Sequence, residues 1–71
     1  MKLTINGQER AFEGLGSGAT VQDLLEALGI KADRVAVEQN GSIVSRTAWG
    51  GAAVSDGDKF EIVHFVGGGL K

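Results

Sequence analysis

Few side chains in this sequence are equipped for chemistry. It has no cysteine, a single histidine (His64), nine carboxylates and seven Lys and Arg residues. Without thiols the chain can hold no disulfide, Cys-ligated metal, thiol nucleophile or persulfide of its own. One imidazole cannot supply a multidentate zinc site. No nucleophile or acid partner is recognisable beside His64 in sequence, so it reads as a strand histidine that packs or hydrogen-bonds. Asp56 and Asp58 flank Gly57. Two carboxylates without further ligands make a weak cation site, and Asp-Gly-Asp before an apolar run is first of all a turn. Trp49 is of a type enriched at partner anchors, but among only four aromatics it reads as core or lid packing.

What remains is the main chain. The sequence closes on Glu61-Ile-Val-His-Phe-Val-Gly-Gly-Gly-Leu-Lys71. Beyond Val66, the three glycines Gly67, Gly68 and Gly69 span about 10 Å when extended. Lacking Cβ atoms, such a ribbon can enter a channel barely wider than the peptide. A glycine carboxylate at its end would then be presented as a reagent. Carboxylates are poor electrophiles; activation by ATP to an acyl-adenylate corrects this, and a sulfur nucleophile can displace AMP to leave a thiocarboxylate. Taken alone, a short glycine run equally fits a flexible linker or a truncation boundary.

The elements that must carry this ribbon are legible from pattern. Met1 to Ile5 alternates apolar and polar as a half-buried strand. Asn6-Gly7 suits the positive φ values of a type I′ turn, and a two-residue loop there sets Ile5 opposite Gln8 and Met1 opposite Phe12. Glu13 to Ala19 is a glycine-rich connection expected to be flexible. Thr20 can cap a helix, with Asp23 as a weaker relative of the capping box. Val21, Leu24, Leu25 and Leu28 then share one helical face, and Gly29 suits a left-handed stop.

Val35 to Gln39 reads as a strand, Asn40-Gly41 repeats the hairpin signal, and Ile43-Val44 returns. Arg46 to Trp49 suggests a short helical turn before Gly50-Gly51 loosens the chain. The last strand is expected over Lys59 to Val66, with Phe60 and Ile62 on one face and Glu61, Val63 and Phe65 on the other. Glu61 is not expected to be buried unpaired, so its face meets water. Val63 and Phe65 then form an exposed apolar pair near the glycines, read either as stray surface hydrophobes or as a docking patch that aligns the tail with a partner's active site. The order predicts an α+β fold, a ubiquitin-like β-grasp with a mixed sheet of four to five strands on one main helix. The first and last strands pair in parallel at its centre. Residues 1–66 form the domain and 67–71 a flexible tail.

Seventy-one residues allow one small domain. A net charge of −2 with scattered cations argues against nucleic acid. No apolar run approaches the roughly 20 residues of a membrane span, and no signal-like segment opens the chain, so a cytoplasmic protein is expected.

The ending "DGDKFEIVHFVGGG", the helix "TVQDLLEALGI" and the segment "VAVEQNGSIVSRTAW" together resemble the thiamine-biosynthesis sulfur carriers, the ThiS family of the ubiquitin-like ThiS/MoaD superfamily. The resemblance covers residues 1 to 69. It implies a carrier rather than an enzyme: a ubiquitin-activating-like adenylyltransferase (ThiF-like) uses Mg-ATP to adenylate Gly69. A cysteine desulfurase relay supplies sulfur, and the thiocarboxylate delivers it to thiazole synthase (ThiG-like). Gly68 is the required neighbour and Gly67 extends the arm. The chain itself binds no cofactor, because ATP and magnesium sit on its partner. Family members usually stop at the glycine, whereas Leu70-Lys71 follow here. The expectation is that a protease removes them. The alternatives are a molybdopterin synthase small-subunit-like carrier, or a β-grasp binding module or protein modifier without sulfur transfer.

Overall fold

A computed structural model describes residues 1–30 and 34–64. Chain order is β1 (Lys2–Ile5), β2 (Gln8–Ala11), α1 (Val21–Ala27), β3 (Val35–Gln39), β4 (Ser42–Val44), a 3₁₀ turn (Arg46–Ala48) and β5 (Lys59–His64). The five strands form one mixed sheet in the order β2-β1-β5-β3-β4. β5 lies at its centre, parallel to β1 and antiparallel to β3. This is the β-grasp layout that the sequence predicts.

Both hairpins turn on Asn-Gly. Asn6 and Asn40 have φ of 51° and 53°, and Gly7 and Gly41 have φ of 84° and 87°. These values are the left-handed pair a type I′ turn needs. The first hairpin has the expected register, Ile5 opposite Gln8, and Phe12 N–H donates to Met1 C=O at 2.7 Å.

The seven-residue helix α1 is too short to be stable alone, and each end is closed explicitly. Thr20 Oγ1 accepts from Asp23 N–H, and Asp23 Oδ2 accepts from Thr20 N–H at 2.9 Å, a complete capping box. The Val21 and Gln22 amides, which lack partners within a helix, donate to Ala52 C=O at 2.9 Å and Trp49 C=O at 3.1 Å. At the other end Gly29 adopts φ 74°. Its N–H bonds Glu26 C=O and Ile30 N–H bonds Leu25 C=O, a Schellman motif.

Val21, Leu24 and Leu25 of α1 are fully buried against the inner face of the sheet, which supplies Leu3, Ile5, Val35, Val37, Phe60 and Ile62. Phe12, Trp49 and Val54 complete the core. Trp49 is core packing, as its scarcity suggested, and its Nε1–H donates to Val44 C=O at 3.0 Å.

Two connections are more ordered than their glycine content suggested. Ala19 is buried, its C=O accepts from Val54 N–H, and Thr20 bridges Ala53. The segment around Gly50-Gly51 closes a turn, with Gly51 N–H on Ala48 C=O at 3.0 Å. Both segments bond to each other and to the start of α1, which local composition cannot reveal.

Candidate functional site

The site is the strand that leads to the glycines. β5 alternates as expected: Phe60 and Ile62 are buried, while Glu61 and Val63 face solvent. Val63 is 54% exposed and stands opposite Ala36 of β3. His64, opposite Val35, is exposed rather than packed. Phe65, the glycines Gly67, Gly68 and Gly69, and Leu70 and Lys71 lie outside the described residues, as does the expected domain boundary at residue 66.

What the structure adds is how firmly β5 is held. On its β3 side the ladder runs from Val35↔His64 to Gln39↔Phe60. On its β1 side the backbone pairing covers only Thr4↔Lys59 and Ile5↔Phe60, because β1 then enters its turn. Asn6 continues the ladder with its side chain. Its N–H donates to Phe60 C=O at 2.9 Å. Its Oδ1 accepts from Ile62 N–H at 2.7 Å, and its Nδ2 donates to Ile62 C=O at 3.1 Å. A side-chain amide presents the same donor and acceptor as a peptide unit, so Asn6 supplies the rung that the departing strand cannot.

Asn40, the matching residue of the second hairpin, holds the other end of β5. Its N–H donates to Lys59 C=O at 2.7 Å, and its Oδ1 accepts from Lys59 N–H at 3.0 Å. In sequence both asparagines read as turn formers only. Their second role spans up to 56 residues and leaves no local signal.

The Asp-Gly-Asp segment is a turn and a brace. Asp58 Oδ2 accepts from Ser55 N–H at 2.8 Å and from Gln39 Nε2 at 2.9 Å, and its Oδ1 accepts from Asn40 Nδ2 at 3.0 Å. Partial burial pushes the Asp58 carboxyl up, but these three hydrogen bonds outweigh it and hold the group below the ordinary aspartate value. Asp56 Oδ1 accepts from Lys2 N–H at 2.6 Å. These carboxylates are therefore committed to backbone and amide donors. Among the described residues no group of three His, Asp or Glu side chains comes together as metal ligands. No described helix is long and apolar enough to cross a membrane.

The ThiS family model matches this chain over residues 3–69, which takes in the sheet from Leu3 onward and the three glycines that follow β5 in sequence. The chain belongs to the ThiS family. Such chains are sulfur carriers rather than catalysts. The sulfur carrier protein ThiS of Bacillus subtilis is 36% identical over 67 residues, covering 94% of this chain and 98% of that protein. A crystal structure of the thiamine biosynthesis protein ThiS from Geobacter metallireducens superposes with a TM-score of 0.83 at 40% identity, covering 96% of this chain and 99% of that one. A thiazole synthase of Paramagnetospirillum magneticum is 51% identical over 69 residues. That match takes in 97% of this ThiS-family chain but only 20% of the relative's length.

Proposed function

We propose that this chain carries sulfur for the thiazole ring of thiamine as a thiocarboxylate on Gly69. The observation that carries this reading is the family match, which runs through residue 69 and so takes in the whole glycine run. In the proposed cycle the chain is a co-substrate. An adenylyltransferase holding Mg-ATP joins the Gly69 carboxylate to AMP and releases pyrophosphate. The terminal sulfur of a persulfide from a cysteine desulfurase relay attacks the acyl carbon and AMP leaves with its electron pair; a thiol reductant then cleaves the S–S bond of the resulting acyl disulfide, leaving the thiocarboxylate on Gly69 and a disulfide on the thiol side.

Thiazole synthase is the proposed acceptor. Support comes from the P. magneticum relative, where a segment similar to this chain forms part of a thiazole synthase polypeptide. Joining carrier and acceptor in one chain raises their effective concentration, which benefits only proteins that act together. Activation requires Gly69 to be a free acid, so Leu70 and Lys71 must first be removed by a protease. Val63, exposed on β5, and Phe65 beyond it are the proposed docking residues that align the arm with the partner.

The test is incubation of the protein ending at Gly69 with ATP, the host adenylyltransferase and sulfide, followed by pyrophosphate exchange and intact mass. The expected result is exchange and the oxygen-to-sulfur mass gain on the C-terminal residue. Gly68→Ala and Gly69→Ala should fold normally yet lose about a hundredfold in activation rate, because each adds a Cβ inside the channel and displaces the reacting carbon. An inert wild-type protein, or fully active alanine variants, overturns the reading.

A further inference from the structure

Both hairpin turns place an asparagine directly before a glycine, where the main chain can attack the side-chain amide. Glycine has no Cβ to hinder its nitrogen, and asparagine is among the thermolabile residues. The Gly7 or Gly41 nitrogen, once hydroxide takes its proton, adds to Cγ of the asparagine before it. The new C–N bond closes a five-membered succinimide. The Cγ–Nδ2 bond breaks, and its nitrogen leaves as ammonia after taking a proton from water. Water then adds to either succinimide carbonyl and breaks that carbonyl's bond to the ring nitrogen. The product is aspartate or isoaspartate. Water is consumed, ammonia is released, and nothing is oxidised or reduced.

Asn6, Gly7, Asn40 and Gly41 are all exposed, so burial shields neither turn. Each side-chain amide is nonetheless held at both ends. Asn6 Oδ1 and Nδ2 bond the N–H and C=O of Ile62. Asn40 Oδ1 accepts from Lys59 N–H, and its Nδ2 donates to Asp58 Oδ1. Attack requires Cγ to swing onto the following nitrogen, which breaks these bonds.

We infer that Asn6 and Asn40 are latent self-modification sites, kept unreactive in the native protein by their side-chain bonds to β5 and its turn. Reaction passes through local opening of those contacts, and its product does not close again. Aspartate at position 6 sets a carboxylate oxygen against Ile62 C=O, and at position 40 against the Asp58 carboxylate, two acceptors facing each other in each case. Isoaspartate adds a methylene to the main chain of a two-residue turn whose length fixes the strand register. A chain modified while open is thus barred from restoring its hold on β5, and openings are recorded covalently.

The experiment follows deamidation of the full chain at mildly alkaline pH, native and in urea above the unfolding transition, by peptide mapping and ammonia release. Trypsin separates the sites, because Lys2 and Arg10 bracket Asn6 while Arg34 and Arg46 bracket Asn40. The protection of each site is its rate in urea divided by its native rate. Both should be protected at least about fivefold, the equivalent of two modest hydrogen bonds. Asp58→Ala, checked by thermal unfolding, removes the acceptor for Asn40 Nδ2 and leaves the bonds of Asn6 in place. It should lower the protection of Asn40 at least about twofold more than that of Asn6, which reports any general loss of stability. Should Asp58→Ala fail to fold, Asp58→Glu, which misplaces the acceptor, takes its place. Either wild-type asparagine reacting as fast in the native protein as in urea overturns the inference, as does an absence of reaction in urea. Equal loss of protection at both sites in the Asp58 variant overturns it too, because general stability rather than the side-chain bonds would then be the barrier.

Discussion

Replacing Asn6 tests whether one side chain really completes the ladder beside β5. Asn6→Ala removes both hydrogen bonds to Ile62, worth about 0.5–1.5 kcal/mol each. It also leaves a Cβ-bearing residue without local polar support at φ 51°, which adds about 1 kcal/mol. The sum is about 2–4 kcal/mol, and at about 4–8 °C per kcal/mol for a domain this size the melting temperature should fall by about 8–32 °C. Asn6→Gly relaxes the backbone but still loses both bonds, so it should cost about 1–3 kcal/mol. Asn6→Asp keeps the acceptor for Ile62 N–H and sets a carboxylate oxygen against Ile62 C=O, so its deficit against wild type should shrink as acid protonates it. Urea and thermal unfolding read all three. If Asn6→Ala lies within about 0.5 kcal/mol of wild type, a range typical of inert surface changes, the side-chain rung contributes nothing and Asn6 is a turn former alone.

The depressed Asp58 carboxyl gives a signed pH dependence. Its folded-state value lies below its unfolded value, so its stabilisation is complete at neutral pH and is lost as pH falls below about 4. Asp58→Asn should lower stability at pH 7 by about 1–2 kcal/mol, discounted for solvent screening, and flatten the acid limb of a melting-temperature profile; an unchanged acid limb contradicts the assignment. Leu24 is fully buried between helix and sheet, so Leu24→Ala should cost about 2–5 kcal/mol by chemical denaturation. A loss below that range would mean that the core closes around the cavity.

Local chemistry makes much of this fold legible. Asn-Gly states its own φ values, Thr20 and Gly29 mark the helix ends, and alternation in β5 assigns Phe60 and Ile62 inward and Glu61 and Val63 outward. The exposure of Ile43 is not legible, because β4 has only three residues, too few for alternation to declare a face. The clasp of Asn6 on Ile62 and the bonds from Val21 and Gln22 to the Trp49–Ala52 loop are hidden for another reason. They join segments that meet only after the sheet forms, and pattern reports periodicity and turns rather than which edge a side-chain amide will find. The role proposed for Gly69 rests on family resemblance, since a glycine run by itself fits a linker as well.

The central position of β5 has a mechanical consequence. A load applied along β5 is resisted by β3 as far as His64 and, on the other side, by β1 and the Asn6 side chain as far as Ile62. Such a load shears many rungs at once instead of unzipping them singly. A tug on the end of β5 is therefore shared across the sheet.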